Sequence, residues 1–318
     1  MTQRGISLLL AGLVGLAACS DNPASTLAEA APDAPALNSL AGDDTYLVRF
    51  TSGIPAGFAE QVAQLGGEVV FAHAGAGVGA VSGLSEAAAA QLQGAGVSLA
   101  ADATVELNVE LGDVESAASD ASAEADVVES PTNPSTAFFY NRQWNMRAIG
   151  APAAWAAGKL GSPTIKVGIL DTGLDYLHPD LYGRVDLALS RSFLSAAENA
   201  RLQALYPGAH PVADLHYHGT HVGSTVASNG YVAAGVTSKV TLVGLKVCTP
   251  GTAATGWRAS CPTNGTLNAV LYAADNGIPI INMSIGSSFL RRQVANYGGD
   301  EVSFMETLNA VFNYARSK

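Results

Sequence analysis

Charge is scarce in this 318-residue chain: Asp, Glu, Lys and Arg make up 14% of it, and aromatic residues only 7%. With hydrophobic residues at 48%, that scarcity argues against a disordered regulator and suits a chain that buries a core. Basic residues are the rarer sign, 16 against 27 acidic, and a formal net charge of -11 speaks against nucleic acid as the main partner. Beyond the N-terminal segment no uninterrupted apolar run approaches about 18 residues, which excludes a second membrane span. Cysteine occurs only at Cys19, Cys248 and Cys261. The length leaves room for about two domains of ~100–200 residues each, plus extensions.

The first segment is an address. Arg4 supplies a short positive region, and Ile6 to Ala18 is an apolar run of signal-peptide length, so residues 1–18 are expected to direct export. The run ends Leu16-Ala17-Ala18-Cys19, which resembles a bacterial lipobox whose Cys becomes the lipidated mature N-terminus. The other reading is an ordinary secretory signal cleaved near Ala18. Residues 19–43 are polar and Pro/Ala-rich, as the tether of a membrane-anchored domain would be. Ser20 in place of Asp points to outer-membrane delivery if the cell has two membranes. In that oxidising setting Cys248 and Cys261 remain as a candidate disulfide across a Gly/Thr/Ser-rich loop, the alternative being two unrelated thiols.

Residues 44–111 read as one small unit. Tyr46 to Phe50, Glu68 to Ala72, Gly77 to Val81 and Val97 to Leu111 have strand character. Phe58 to Leu65 and Ser85 to Gln93 have helical spacing, the second with Ser85 as N-cap and Gly94 past its end. The order β-α-β-β-α-β predicts a ferredoxin-like α+β module. Residues 112–137 are acidic, Ala/Ser-rich and without an aromatic residue, a composition that predicts a linker. Between Phe50 and Gln143 Arg142 is the only basic residue, against twelve acidic ones, whereas Arg142 to Lys318 carries 14 basic and 10 acidic residues. The two parts are therefore expected to attract one another.

From residue 138 to 318 strand and helix alternate. Ile165 to Leu170, Val240 to Val247 and Ile278 to Ser284 are short apolar runs of the parallel-sheet kind. Gly219 to Ser228 and Thr266 to Asn276 read as helices, and Glu301 to Arg316 has an apolar stripe at Val302, Met305, Leu308, Phe312 and Ala315. The pattern predicts a three-layer α/β fold, whose sites form at the carboxyl ends of the strands. Asp171 stands at such an end. His218 opens the helix of small residues, and an Asp accepting from one imidazole nitrogen leaves the other free to take a hydroxyl proton. The position of His218 at a helix N-terminus predicts a neutral ring.

Asp171-Thr172-Gly173-Leu174-Asp175, His178-Pro179-Asp180-Leu181, His218-Gly219-Thr220-His221-Val222 and Ile281-Asn282-Met283-Ser284-Ile285-Gly286 together resemble the subtilisin-like serine proteases, over roughly Tyr140 to Lys318. The resemblance implies a subtilisin-like parallel sheet, protein or peptide substrates, Asp171 as orienting acid and His218 as base. Ser284, Ile285 and Gly286 would line the cleft and pair with substrate as an added strand. It also implies that residues 44–111 are an inhibitory propeptide, the chain's own partner. No catalytic cofactor is expected; structural calcium is common in the family, with no ligands assigned here and Asp175, Asp180 and Asp214 read as loop acids. Two departures stand out. Tyr217 replaces the usual Gly before the His, and residues 189–215 look like an inserted surface loop. The chain also contains no Gly-Thr-Ser and no Gly-Asn, the family's contexts for the nucleophile and the oxyanion-hole Asn. The expectation is a chain that ends before its serine and is inactive by itself. Two rivals remain: a metal-dependent hydrolase using His216, His218 and His221, and an anchored binding or inhibitory protein without catalysis.

Overall fold

A computed structural model describes residues 45–94, 96–107, 133–251, 258–286 and 301–318. The expected signal peptide, Cys19, the tether and most of the 112–137 linker lie outside the described residues.

Alternation builds the front sheet. Strands β1 (Tyr46–Phe50), β2 (Glu68–His73), β3 (Val78–Ser82) and β4 (Val97–Ala101) pair antiparallel in the order β2-β3-β1-β4. Helix α1 (Phe58–Gln64) follows β1, and α2 (Glu86–Leu92) follows β3 with Ser85 Oγ accepting from Ala88 N at 3.2 Å. Successive strand residues face opposite sides. Val48, Phe50, Val81 and Leu99 bury against Phe58 and Val62 of α1 and against Ala88, Ala89 and Leu92 of α2. Leu47, Val78, Ala80 and Ala100 point the other way, into a second cluster shared with the rest of the chain. Both faces of this small sheet are therefore covered.

The second cluster belongs to a parallel sheet. After two short helices, α3 (Trp144–Ala148) and α4 (Ala151–Ala156), strands β6 (Lys166–Asp171), β7 (Arg191–Ser192), β8 (Thr241–Lys246) and β10 (Ile280–Met283) lie in the order β10-β6-β8-β7. All their pairings are parallel. Helix α6 (His218–Val226) covers one face, where Val167, Ile169 and Leu242 meet Leu174 and Leu181. Helix α7 (Thr263–Asp275) covers the other, where Leu170, Val243 and Leu245 meet Leu267, Val270 and Leu271, and α8 (Glu301–Ser317) packs on α7. The front sheet lies outside these helices as a further layer, with β1, β3 and β4 all touching α8. Each Leu or Val buried there contributes about 1.5–3 kcal/mol.

Three expectations change. The run from Val97 does not continue as one strand. It bends at Asp102-Ala103, and β5 (Thr104–Leu107) pairs antiparallel with β9 (Ala259–Pro262) of the rear part. The bend follows from a contact distant in sequence, because α7 begins at Thr263 behind a proline that cannot cap it with a side chain. Asp102 accepts from Asn264 N at 3.1 Å and Ala103 O from Thr263 N at 2.8 Å, so the front part caps a helix of the rear part. Residues 189–215 are not a bare loop: they contain β7 and helix α5 (Ala196–Leu205), with Ser190, Leu202 and Val212 buried. On α8 the buried side chains are Ser303, Phe304, Thr307 and Val311, while Val302, Met305 and Phe312 are exposed. The front sheet and α7 take the stripe beside the one read from the sequence.

The seam makes stability depend on pH. Burial pushes the Asp102 carboxyl up to about 7 from 3.8, against the hydrogen bonds from Asn264. A carboxyl whose folded value lies above its unfolded one binds more protons when folded. Its stabilising contribution is thus full below 3.8 and lost as pH rises through about 7. Part of the residue remains in solvent, which discounts the full shift. Urea unfolding at pH 5 and pH 8 should show the wild type losing about 1–2 kcal/mol more than Asp102→Asn over that interval. Equal losses would remove Asp102 as the cause.

Candidate active site

The site forms where β6 ends. Asp171 is its last residue and fully buried, and the chain turns at once through Thr172 and Gly173. Helix α6 starts beside that turn, and a Cβ on Gly219 would overlap the Gly173 carbonyl oxygen, so only glycine permits the approach. Thr172 Oγ1 accepts from Gly219 N at 2.9 Å and donates to Asp214 Oδ1 at 2.9 Å. The Asp214 carboxylate further accepts from the backbone N–H groups of His216 (2.9 Å), Tyr217 (3.1 Å) and Thr220 (2.9 Å), and from Thr220 Oγ1 (2.6 Å). Sequence reasoning took Asp214 for an ordinary loop acid. An Asp ahead of a helix start is the signal that could have found this N-terminal cap.

This scaffold sets His218 Nδ1 2.7 Å from Asp171 Oδ1, which also accepts from Thr172 N at 2.7 Å. The Asp171 hydrogen bond raises the His218 pKa above its usual 6.5, and burial opposes it only in part. The helix terminus alone predicted a neutral ring; the carboxylate outweighs it. With Nδ1–H donated to Asp171, Nε2 is the nitrogen left to take a proton.

The remaining residues of interest fall around this pair. Ser284, Ile285 and Gly286 follow β10, whose Met283 is in register with Leu170 of β6. Ile285 packs on the core, Ser284 Oγ donates to Asn282 Oδ1 at 2.9 Å, and Ser284 and Gly286 are exposed. Cys248 and Cys261 are disulfide-bonded with Cα atoms 4.1 Å apart, tying β9 to the residues just after β8. Lys246, within the strand run expected from Val240 to Val247, is the buried last residue of β8 and the register partner of Asp171.

His216, His218 and His221 do not converge as a metal set. His216 stacks on Tyr217 at 4.8 Å, His218 gives Nδ1 to Asp171, and His221 is exposed one turn further along α6. Among the described residues no three His, Cys, Asp or Glu side chains are grouped to hold a metal ion. Nor are Asp180 and Asp214 free for calcium. The Asp180 carboxylate accepts from the N–H groups of Tyr231, Val232 and Ala233 at 2.7, 3.1 and 3.1 Å, and Asp214 is committed to α6.

Tyr217 departs from the family pattern at a structural cost. Its φ of 92° lies where a side chain is strained, and its stacking on His216 offsets part of that strain. Alanine would keep the strain and lose the stacking; glycine would lose both. Chemical denaturation should find Tyr217→Gly more stable than Tyr217→Ala by about 1 kcal/mol. The reverse order would mean that the backbone relaxes on substitution.

Comparison with known proteins agrees with this geometry. Residues 162–317 match the profile of the subtilase family of peptidases. The minor extracellular protease Vpr of Bacillus subtilis is 35% identical over 140 residues, 44% of this chain and 16% of Vpr. The major intracellular serine protease of the same organism is 33% identical over 144 residues, 44% of this chain and 40% of that protein. The chain thus spans less than half the length of either relative. The crystal structure of the epidermin leader peptide processing serine protease of Staphylococcus aureus is similar with a TM-score of 0.57 and 20% identity, covering 86% of this chain and 57% of that one. That likeness establishes a subtilisin-like α/β fold built on a parallel sheet. By sequence profile, residues 162–317 belong to the subtilase family.

Proposed function

We propose that this chain supplies the Asp–His half of a serine endopeptidase, with Asp171 orienting and His218 acting as general base. The observation that carries this reading is the 2.7 Å contact between His218 Nδ1 and the fully buried Asp171. Protein or peptide substrates would add as a strand along β9 and the Ser284–Gly286 segment. The nucleophile is assigned to none of the described residues, since none of them places a hydroxyl in hydrogen-bond contact with Nε2. Residues 1–318 joined to a subtilase segment carrying Gly-Thr-Ser should hydrolyse casein, and 1–318 alone should not. His218→Ala in the joined protein should lower kcat about 10⁴-fold or more. A base must be neutral, so activity should rise with pH through a value above 6.5, and Asp171→Asn should move that limb to lower pH. Turnover by 1–318 alone that disappears in His218→Ala would overturn the assignment.

Residues 44–111 we read as an inhibitory propeptide, with 112–137 as the linker in which processing occurs. Support comes from β5, whose Thr104 to Leu107 already pairs with Pro262 to Ala259 as a substrate strand would. Added separately, this module should inhibit the joined enzyme at micromolar concentration, and Leu107→Asp, at a buried position in that strand, should weaken inhibition at least about tenfold. No inhibition by either form would remove the propeptide role.

The leader features support export, with Cys19 as the lipid-bearing mature N-terminus and the cell envelope as location. Mass spectrometry of the mature N-terminus tests this; an unmodified Cys19 leaves ordinary secretion. A non-catalytic binding protein is the second reading, since among the described residues no hydroxyl meets Nε2. A serine-directed fluorophosphonate probe separates the two, since only a complete triad is labelled.

A further inference from the structure

A cavity of about 490 Å³ lies between β7, α5, the 209–215 segment and the end of β8. That is the size of a small-molecule site, and none of the peptidase roles above uses it. Leu202, Pro211 and Leu215 give it apolar walls, while Lys246, Arg191, His210, Ser192, Asn199 and Gln203 bring polar groups to it. Lys246 is only 1% exposed, and its Nζ donates to Ala213 O at 2.7 Å, which occupies one of three ammonium protons. Among the described residues no carboxylate forms an ion pair with it. The two acids that attract it are committed elsewhere: Asp214 to α6, and Glu198 to Arg201, whose Nε lies 2.9 Å away. Burial accordingly pushes the Lys246 ammonium down to about 8. A buried cation with no ion pair carries an energetic cost that an entering anion relieves.

Of the other polar groups, His210 is spent and Ser192 is a donor. His210 is committed to the backbone: Nδ1 accepts from Val212 N at 3.2 Å and the ring proton goes to the Leu187 carbonyl. Ser192 Oγ accepts from Leu194 N at 3.4 Å and keeps its hydroxyl proton to donate. Lys246 is the one buried cation of the lining; Arg191 also reaches the cavity but is exposed and lies over the Phe193 and Tyr272 rings. One buried cation matches a single negative charge, and apolar walls match a hydrocarbon body. We propose that this cavity is a binding site for a small monocarboxylate with an apolar body. Either a free organic acid or the C-terminal carboxylate of a peptide has that chemistry.

Titrating the full chain with hexanoate, N-acetyl-leucine and N-acetyl-leucinamide, while following the Lys246 Cε resonance by NMR, tests this. Hexanoate should bind saturably, with a Kd of about 1–10 mM. Binding should raise the Lys246 pKa from about 8 by at least about one unit. N-acetyl-leucine binding as well as hexanoate points to peptide C-termini, and hexanoate binding alone points to free acids; the amide should not bind. Lys246→Met should abolish binding. Because that change also alters the core, Ala200→Trp, at an exposed position on the cavity wall, is the second variant. It should weaken hexanoate at least about tenfold while the chain stays folded. No saturable shift up to about 50 mM, equal binding of the amide, or unchanged affinity in Ala200→Trp would overturn the site.

Discussion

The close approach of α6 to the Thr172-Gly173 turn is the contact on which the site depends. Gly219 allows it by having no side chain, and Asp214 holds it by accepting from both sides of the junction. Without that approach His218 would not reach the buried carboxylate of Asp171. The same packing forces Tyr217 to a φ of 92°. Strain of that kind costs about 1–3 kcal/mol. Hydrogen bonds to a charged acceptor contribute about 1.5–3 kcal/mol each, and Asp214 accepts several, so the strained arrangement is retained.

A second constraint is the two-sided burial of the front sheet. Its own helices cover one face, and the apolar residues of the other, Leu47, Val78, Ala80 and Ala100, find cover only on the rear part. Apolar burial therefore holds the two parts together more than their opposite charge balance does. His73 to Asp275, at 2.9 Å, is the one ion pair across the seam among the described residues, and an exposed pair of this kind contributes at most about 1 kcal/mol. Capping adds direction to this contact. Asp102 and Ala103 fit the start of α7, and that fit delivers β5 to the edge of β9.

At the carboxyl edge of the parallel sheet two buried charges stand side by side. Asp171 and Lys246 are register partners on β6 and β8, yet each serves a different space. Asp171 is turned to His218, and Lys246 to the cavity under α5. The disulfide from Cys248 to Cys261 begins two residues beyond Lys246 and holds β9 close to the same edge.

Much of this was legible in the sequence, because local rules govern it. Apolar runs at Ile165 to Leu170 and Val240 to Val247 mark buried parallel strands wherever they occur, and the Asp171 and His218 motifs are contiguous. The β-α-β-β-α-β order also follows from short-range periodicity and turn residues. What tertiary structure alone decided involves partners distant in sequence. The bend at Asp102 depends on the start of a helix 162 positions away. The face of α8 that is buried depends on where the front sheet lands, and two adjacent helical stripes of similar composition do not distinguish it. Residues 189–215 looked like a loop because their buried positions, Ser190, Leu202 and Val212, are too sparse to show a period. The raised pKa of His218 and the lowered one of Lys246 likewise follow from which groups meet in space, and linear order carries no such information.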